Sequence, residues 1–304
     1  CLDGASAVPF VARDIVKNGS NLFVSAGACG VLVFDANGAT SIDNNTVPIA
    51  IDTDGEAFDT QTVSGLAYVA DFDGGLAVLD LIAEMQVDDF GGVGAGGSVT
   101  AAVDIEVDGP RSFVATGPGL RIIDDDPTTG LGLAGMYDSG NEATGASQDA
   151  QLVRDGTRDL VYLARMLDGV DVLDVTDPSA ILLLDNIPSV AGSYEVAISG
   201  ARAVTAEGTD GIGVLDLSDL SSPVSLGLFA NEGFTEDVEV DDQFAFVAFD
   251  TDNGADQGGL RIVQLERVGV DPLLVPEPRS LLLGLAALTT TGVIGAWRRR
   301  RKND

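Results

Sequence analysis

The chain of 304 residues carries 48 acidic against 16 basic side chains, a net charge of −32, and before residue 279 the imbalance is 47 to ten, a net −37. Such a surface repels nucleic-acid phosphates and attracts cations, which excludes nucleic acid as a partner. There is no histidine, so Ser-His-Asp and Cys-His centres and histidine-ligated zinc or iron sites cannot be built. Carboxylate chemistry stays open, because a glycosidase needs only two acids about 5 to 10 Å apart.

In chain order the first readable unit runs from Asp14–Gly19 into Leu22–Ser25, through a turn, and on to Gly30-Val31-Leu32-Val33-Phe34-Asp35. The same order returns from Asp59 through Tyr68-Val69-Ala70 to Gly75–Asp80, and from Asp104 through Phe113-Val114-Ala115 to Gly119–Asp124. Later copies place Tyr162-Leu163-Ala164, Ala203-Val204-Thr205 and Phe246-Val247-Ala248 in the same slot, ahead of Gly169, Gly211 and Gly259. Five residues after each glycine stands an aspartate (Asp35, Asp80, Asp124, Asp174, Asp216), or Gln264 in the sixth copy. The runs are short, rich in Val, Ile, Phe and Tyr, and bounded by Gly, Asp, Asn and Ser, which is strand and turn chemistry. A fourth strand follows the aspartate, as at Ala83–Val87 and Pro223–Phe229.

Four antiparallel strands every 42 to 50 residues is the size of a propeller blade, and radial repetition protects the sheet edges. Runs such as Leu76–Leu79 are apolar on both faces, as a sheet packed between two neighbours requires. The expected fold is therefore an all-β propeller of four-stranded blades, six in number, with a seventh left open because the chain starts at Cys1 without Met. Ser6–Ala12 reads as an outer strand that could complete the last blade. Leu76, Val78, Leu120, Ile122, Val172 and Val214 are expected in the core, and the repeated glycines and aspartates read mostly as turn and capping devices.

Val170-Asp171-Val172-Leu173-Asp174-Val175-Thr176-Asp177-Pro178, and Ile212–Asp219 followed by Pro223, resemble the LVIVD-repeat family, whose signature strand ends in Val-x-Asp-Val-Ser-Asp-Pro. The first three copies lack the trailing Ser/Thr-Asp-Pro. The resemblance covers roughly residues 5 to 266 and implies a propeller of secreted or cell-surface proteins with no established catalytic residues.

From Ser280 to Trp297 the chain has eighteen uncharged residues, followed by Arg298–Arg301. At 1.5 Å per residue this helix would span about 27 Å, enough for a thin hydrocarbon core with the arginines on the cytoplasmic side. Immediately upstream stand Pro276, Glu277 and Pro278. Pro-Glu-Pro, an apolar span and a terminal basic cluster resemble the PEP-CTERM sorting signal of Gram-negative bacteria. The resemblance implies an exosortase-type sorting enzyme as partner and export to the outer surface or extracellular matrix. It also implies anchoring through the C-terminal helix before processing, and an N-terminal export signal upstream of Cys1.

Three groups of residues carry candidate chemistry. Asp250, Asp252 and Asp256 lie in the turn of the sixth copy, which is longer than the others and rich in oxygen donors and glycines, so it could hold Ca²⁺; Asp52-Thr53-Asp54-Gly55-Glu56 is a shorter version. Asp14, Asp59, Asp104 and Asp237 each stand nine residues before the aromatic anchor, with Glu195 eight before Ala203. If their segment is innermost, they ring one mouth of the central channel and hydrogen-bond the neighbouring blade's backbone. Cys1 and Cys29 could pair in an oxidising exterior.

The organisation expected is a propeller over residues 1–268, a linker with the Pro-Glu-Pro motif over 269–278, and a sorting and anchor helix with its basic tail over 279–304. The role expected is non-enzymatic binding or structure at the cell surface, toward polysaccharide or envelope protein. The alternative is a carboxylate-based hydrolase or lyase acting on extracellular carbohydrate.

Overall fold

The computed structural model describes residues 11–36, 48–91, 101–140, 146–189, 192–230, 233–241, 243–250 and 258–265. The segment Ser6–Phe10, Cys1, Asp252, Asp256, Pro276–Pro278 and the apolar tail lie outside them. Among the described residues no helix is long and apolar enough to cross a membrane.

Six antiparallel sheets follow one another along the chain. Blade 1 is Asp14–Asn18 (β1), Asn21–Ser25 (β2), Val31–Asp35 (β3) and Ile49–Ile51 (β4). Blade 2 is Asp59–Val63 (β5), Leu66–Ala70 (β6), Gly75–Asp80 (β7) and Met85–Gly91 (β8). Blade 3 is Asp104–Asp108 (β9), Arg111–Thr116 (β10), Gly119–Asp126 (β11) and Gly130–Asp138 (β12). Blade 4 is Asp149–Arg154 (β13), Asp159–Arg165 (β14), Gly169–Asp174 (β15) and Leu182–Ile187 (β16). Blade 5 is Glu195–Ser199 (β17), Arg202–Ala206 (β18), Ile212–Asp216 (β19) and Val224–Phe229 (β20). Blade 6 is Phe234–Val240 (β21), Phe244–Asp250 (β22) and Gly258–Gln264 (β23), three strands among the described residues where the others have four.

In every sheet the hydrogen-bonded order is the chain order, and the first strands of successive blades adjoin one another from β1 to β21. The fold is thus a six-bladed β-propeller with these strands around the centre, as the repeat predicted. Register shifts between the third and fourth strands at Val78/Leu79, Ile122/Ile123, Val172/Leu173 and Val214/Leu215 bulge the outer strands and increase their twist.

The repeated glycine has two jobs. Gly30, Gly75, Gly169 and Gly211 all adopt positive φ, and a Cβ at Gly30 or Gly169 would collide with the carbonyl oxygen of Ile51 or Ile187 on the fourth strand. Any side chain there would be strained and would push the outer strand away.

The apolar core lies between blades. Phe23, Val31 and Ile51 pack on Val69 and Leu79; Leu76 and Val78 on Ile105 and Val114; Leu120 and Ile122 on Val161 and Leu173; Tyr162 and Val172 on Val196 and Leu215; Val204 and Ile212 on Val238 and Val247. Each cluster draws on two successive blades because the first and third residues after the repeated glycine face the next blade. Of the six expected core residues five are buried, while Val214 is only partly so. The seam between blades 6 and 1 differs: Val24, Ala26, Cys29 and Leu32 cluster within blade 1 alone, and Leu260 and Ile262 of blade 6 remain 67% and 51% exposed.

Candidate functional site

Around the centre each blade contributes one acid from the first residues of its inner strand: Asp14, Asp59, Asp104, Asp149, Glu195 and Asp237. Four of these side chains, on blades 2 to 5, reach the next blade and accept from the N–H one residue beyond that blade's own acid. Asp59 Oδ2 accepts from Ile105 N at 3.0 Å, Asp104 Oδ2 from Ala150 N at 2.8 Å, Asp149 Oδ2 from Val196 N at 2.8 Å and Glu195 Oε2 from Val238 N at 3.3 Å. Thr60 N, the corresponding donor beside Asp14, donates to Asp59 Oδ1 at 2.8 Å. The inner-strand acids foreseen from the repeat are found at this place, and Asp59, Asp104, Asp149 and Glu195 hydrogen-bond the neighbouring blade's backbone. Asp149 escaped the spacing rule because the β13–β14 hairpin is four residues longer before its aromatic anchor, Tyr162: two in the turn Asp155-Gly156-Thr157-Arg158 and one in each strand.

Asp149 is buried, Asp14, Asp59, Asp104 and Glu195 are half-buried, and Asp237 is exposed. Directly across the sheet from these acids stand Ser25, Ala70, Ala115, Ala164, Ala206 and Ala248, small side chains that supply no charge. Desolvation is the main cause that raises the carboxyls, with the neighbouring acids adding to it. Asp59 is pushed up to about 8 with Asp14 beside it, Asp149 to about 7 and Glu195 to about 11 with Asp149 and Asp237 beside it. Asp104 and Asp14 move in the same direction. Burial in a medium of low polarity and like charge both favour the neutral acid.

The repeated aspartates on the third strands do different work. Asp80 Oδ1 accepts from Ile82 N and Ala83 N at 2.8 and 2.9 Å, Asp174 from Thr176 N at 3.0 Å and Asp216 from Ser218 N at 2.8 Å. Asp177 and Asp219 do the same for Ser179 and Ser221. These are Asx turns that set the chain's exit from the strand. The bonds hold the Asp80, Asp177, Asp216 and Asp219 carboxyls below the usual range.

A buried polar network joins blades 3 and 4. Asp171, 1% exposed, accepts from Arg165 Nη1 at 2.8 Å, Asn186 Nδ2 at 2.7 Å and Tyr137 OH at 3.0 Å, while Arg165 also donates to Asp168 at 2.7 Å. In blade 5 the buried Glu207 accepts from the hydroxyls of Ser189, Ser193 and Thr205. Full satisfaction of this kind marks structural polar groups.

Asp52, Thr53 and Asp54, with Gln86, Val87, Asp88 and Asp89, line an open acidic groove of about 280 Å³. Thr53 Oγ1 and Gly55 N donate to Asp71 at 2.6 and 2.7 Å, so the Asp52–Glu56 segment is fastened to the next turn. The Asp71 carboxyl, chiefly through burial, sits up at about 6. Among the described residues no three acidic or cysteine side chains converge closely enough to hold a metal ion. Asp250 ends β22 opposite Gly258 and is exposed; Asp252 and Asp256 lie outside the described residues, so the expected Ca²⁺ loop does not enter the geometry. Cys29 stands in a disulfide, and Cys1 is the chain's only other cysteine.

Repeat, blades and inner ring together define a β-propeller built from one supersecondary unit. The sequence profile of the LVIVD repeat matches residues 54–82 and 192–230, which hold β5 to β7 and β17 to β20. No curated protein matches the chain. Among solved structures, the computationally designed Ika8 protein is 15% identical over 83% of this chain and 70% of its own, with a TM-score of 0.58; at that identity the likeness shows the fold alone. PorZ, an essential surface component of the type-IX secretion system of Porphyromonas gingivalis, is 16% identical over 84% of this chain and 31% of its own, with a TM-score of 0.48.

Proposed function

We propose that this protein is an exported, non-enzymatic propeller that binds polysaccharide or envelope protein at the cell surface or in the extracellular matrix, with cations supporting the contact. The observation that carries the non-enzymatic reading is the use made of the central acids. In propellers the channel mouth is the natural place for a carboxylate pair to act, yet here Asp59, Asp104, Asp149 and Glu195 are each committed to the next blade's backbone. An acid so engaged is a clamp rather than a free general base. Activity on a panel of acidic and neutral glycans should therefore be absent while binding saturates; turnover abolished by Asp104→Asn would overturn the reading.

The location rests on the tail. Pro276-Glu277-Pro278, the apolar span and Arg298–Arg301 resemble a sorting signal read by an exosortase-type enzyme of a Gram-negative bacterium. Protein recovered from outside the cell should lack the arginine cluster. Intact-mass measurement showing the complete C-terminus on exported protein would refute this.

Cation support is assigned to the Asp250–Asp256 loop, with a Ca²⁺ affinity in the range of extracellular modules, about 10⁻⁴ to 10⁻³ M. A domain at net −37 gains from any divalent ion by screening, so a higher melting temperature in calcium is not enough. Asp252→Asn with Asp256→Asn should abolish most of the calcium-dependent rise. Glu84→Gln with Glu239→Gln, at two exposed positions, should leave it intact; equal losses would mean diffuse charge and no site.

A further inference from the structure

We propose that the Tyr194–Phe234 aromatic pair, on the rim where the inner strands begin, is a recognition site for a guanidinium, carried by an arginine side chain of a partner protein. It deepens the proposed surface-binding role and rests on its envelope-protein reading. The repeat supplies the comparison, because in five blades the residue just before the inner-strand acid donates its N–H to a carbonyl near the end of the second strand. The bonds are Arg13 to Ser25 at 2.8 Å, Phe58 to Ala70 at 2.8 Å, Val103 to Ala115 at 3.0 Å, Gln148 to Ala164 at 2.9 Å and Tyr194 to Ala206 at 2.9 Å. These five residues are therefore equivalent, one per blade. Between blades 1 and 2, consecutive members touch: the guanidinium carbon of Arg13 lies 4.4 Å from the centre of the Phe58 ring, and Phe58 also stacks on Phe72 with centres 5.1 Å apart. The fold itself thus seats an arginine on this ring position.

Blades 4 and 5 repeat the arrangement with a glutamine in place of the arginine. Tyr194 stands where Phe58 does, and it packs edge to face on Phe234 with centres 4.9 Å apart. Glycines make the floor of the pair. A Cβ at Gly192 or Gly208, both at positive φ, would stand 3.0 Å from Tyr194 Cε2, and one at Gly208 would also stand 3.1 Å from Phe234 Cε2. Both rings are half-buried, so they are held in place and still reachable. Gln148, the counterpart of Arg13, is turned to its own backbone, its amide donating to the Ser147 and Ala146 carbonyls at 2.9 and 3.5 Å.

The charges around the pair suit a cation. Glu236, two residues after Phe234, is exposed, and Asp210, two after Gly208, is half-buried. Burial and the charge of Glu236 raise the Tyr194 hydroxyl. Every Lys and Arg before residue 266 is among the described residues, and none of them is seated on Tyr194 or Phe234. Arg165 of blade 4 is held by Asp168 and Asp171, and Arg261 of blade 6 lies over Phe249 at 5.6 Å and donates to the Ala230 carbonyl at 3.5 Å. An aromatic ring beside carboxylates attracts a guanidinium through its quadrupole and through charge together. A domain at net −37 steers a basic partner toward it.

The test is a titration of the full chain with Nα-acetyl-arginine amide, followed through the ring resonances of Tyr194 and Phe234. Nα-acetyl-citrulline amide, of the same shape without the charge, is the control. The arginine compound should shift these signals saturably and the citrulline compound should not. Gln148→Arg, which places an arginine where blade 1 has one, should abolish the response by filling the site from within. Tyr194→Leu should weaken binding by about fivefold or more, while Tyr194→Phe keeps it. Glu236→Gln should weaken it by about twofold to fivefold. Equal shifts with citrulline and arginine overturn the site, as does a response that Gln148→Arg leaves intact. If neither Gln148→Arg nor Tyr194→Leu folds, the citrulline comparison and the exposed Glu236→Gln still decide, and an unchanged affinity in Glu236→Gln rejects the site. Saturable capture of an envelope protein that Gln148→Arg does not alter rejects this site and leaves the proposed role standing.

Discussion

Asp171→Ala should destabilise the protein by about 3 to 5 kcal/mol, measured by chemical denaturation, because it removes one partner of a buried ion pair. Arg165 is 5% exposed and would lose one carboxylate while keeping Asp168; Tyr137 OH would lose the Asp171 oxygen, and Asn186 Nδ2 would be left with the Asp168 carbonyl. The pair holds blades 3 and 4 together, since Tyr137 lies on β12 and Asp171 on β15. Replacing Asp171 with Leu and Arg165 with Met together should recover much of the loss, because an apolar pair of similar volume often substitutes for a buried ion pair at little cost. A loss below about 1 kcal/mol in Asp171→Ala would show that Arg165 re-pairs and that the network is not essential.

Ile122→Ala should cost about 2 to 5 kcal/mol by transfer and cavity formation together. Ile122 is fully buried against blade 4. The repeat supplies its own control: Ile262 stands at the same place, three residues after the repeated glycine, but on blade 6, where it is 51% exposed. Ile262→Ala should stay within about 0.5 kcal/mol, as surface changes usually do. Equal losses at the two positions would mean that the seam is as well packed as the other interfaces.

The architecture was legible because propeller blades are local. A strand, a glycine at positive φ and an Asx-turn aspartate recur at Gly75/Asp80, Gly169/Asp174 and Gly211/Asp216, and each signal is decided by residues within one hairpin. The apolar both-face run Leu76–Leu79 likewise announced a sheet packed on two sides. Where spacing itself was the signal, a local insertion defeated it: the four extra residues of the β13–β14 hairpin, two of them in its turn, hid Asp149 from the pattern. What lay beyond the sequence were properties set by residues far apart in the chain. Asp171 reads as part of a repeat motif, and only the fold brings Arg165, Asn186 and Tyr137 around it. Ile122 and Ile262 look equivalent, yet one is buried and the other exposed, because burial is conferred by the next blade and blade 6 meets the far end of the chain. Asp59, Asp149 and Glu195 are ordinary acids by sequence. Their carboxyls are raised by the burial that the fold imposes on them and by charges that it brings near.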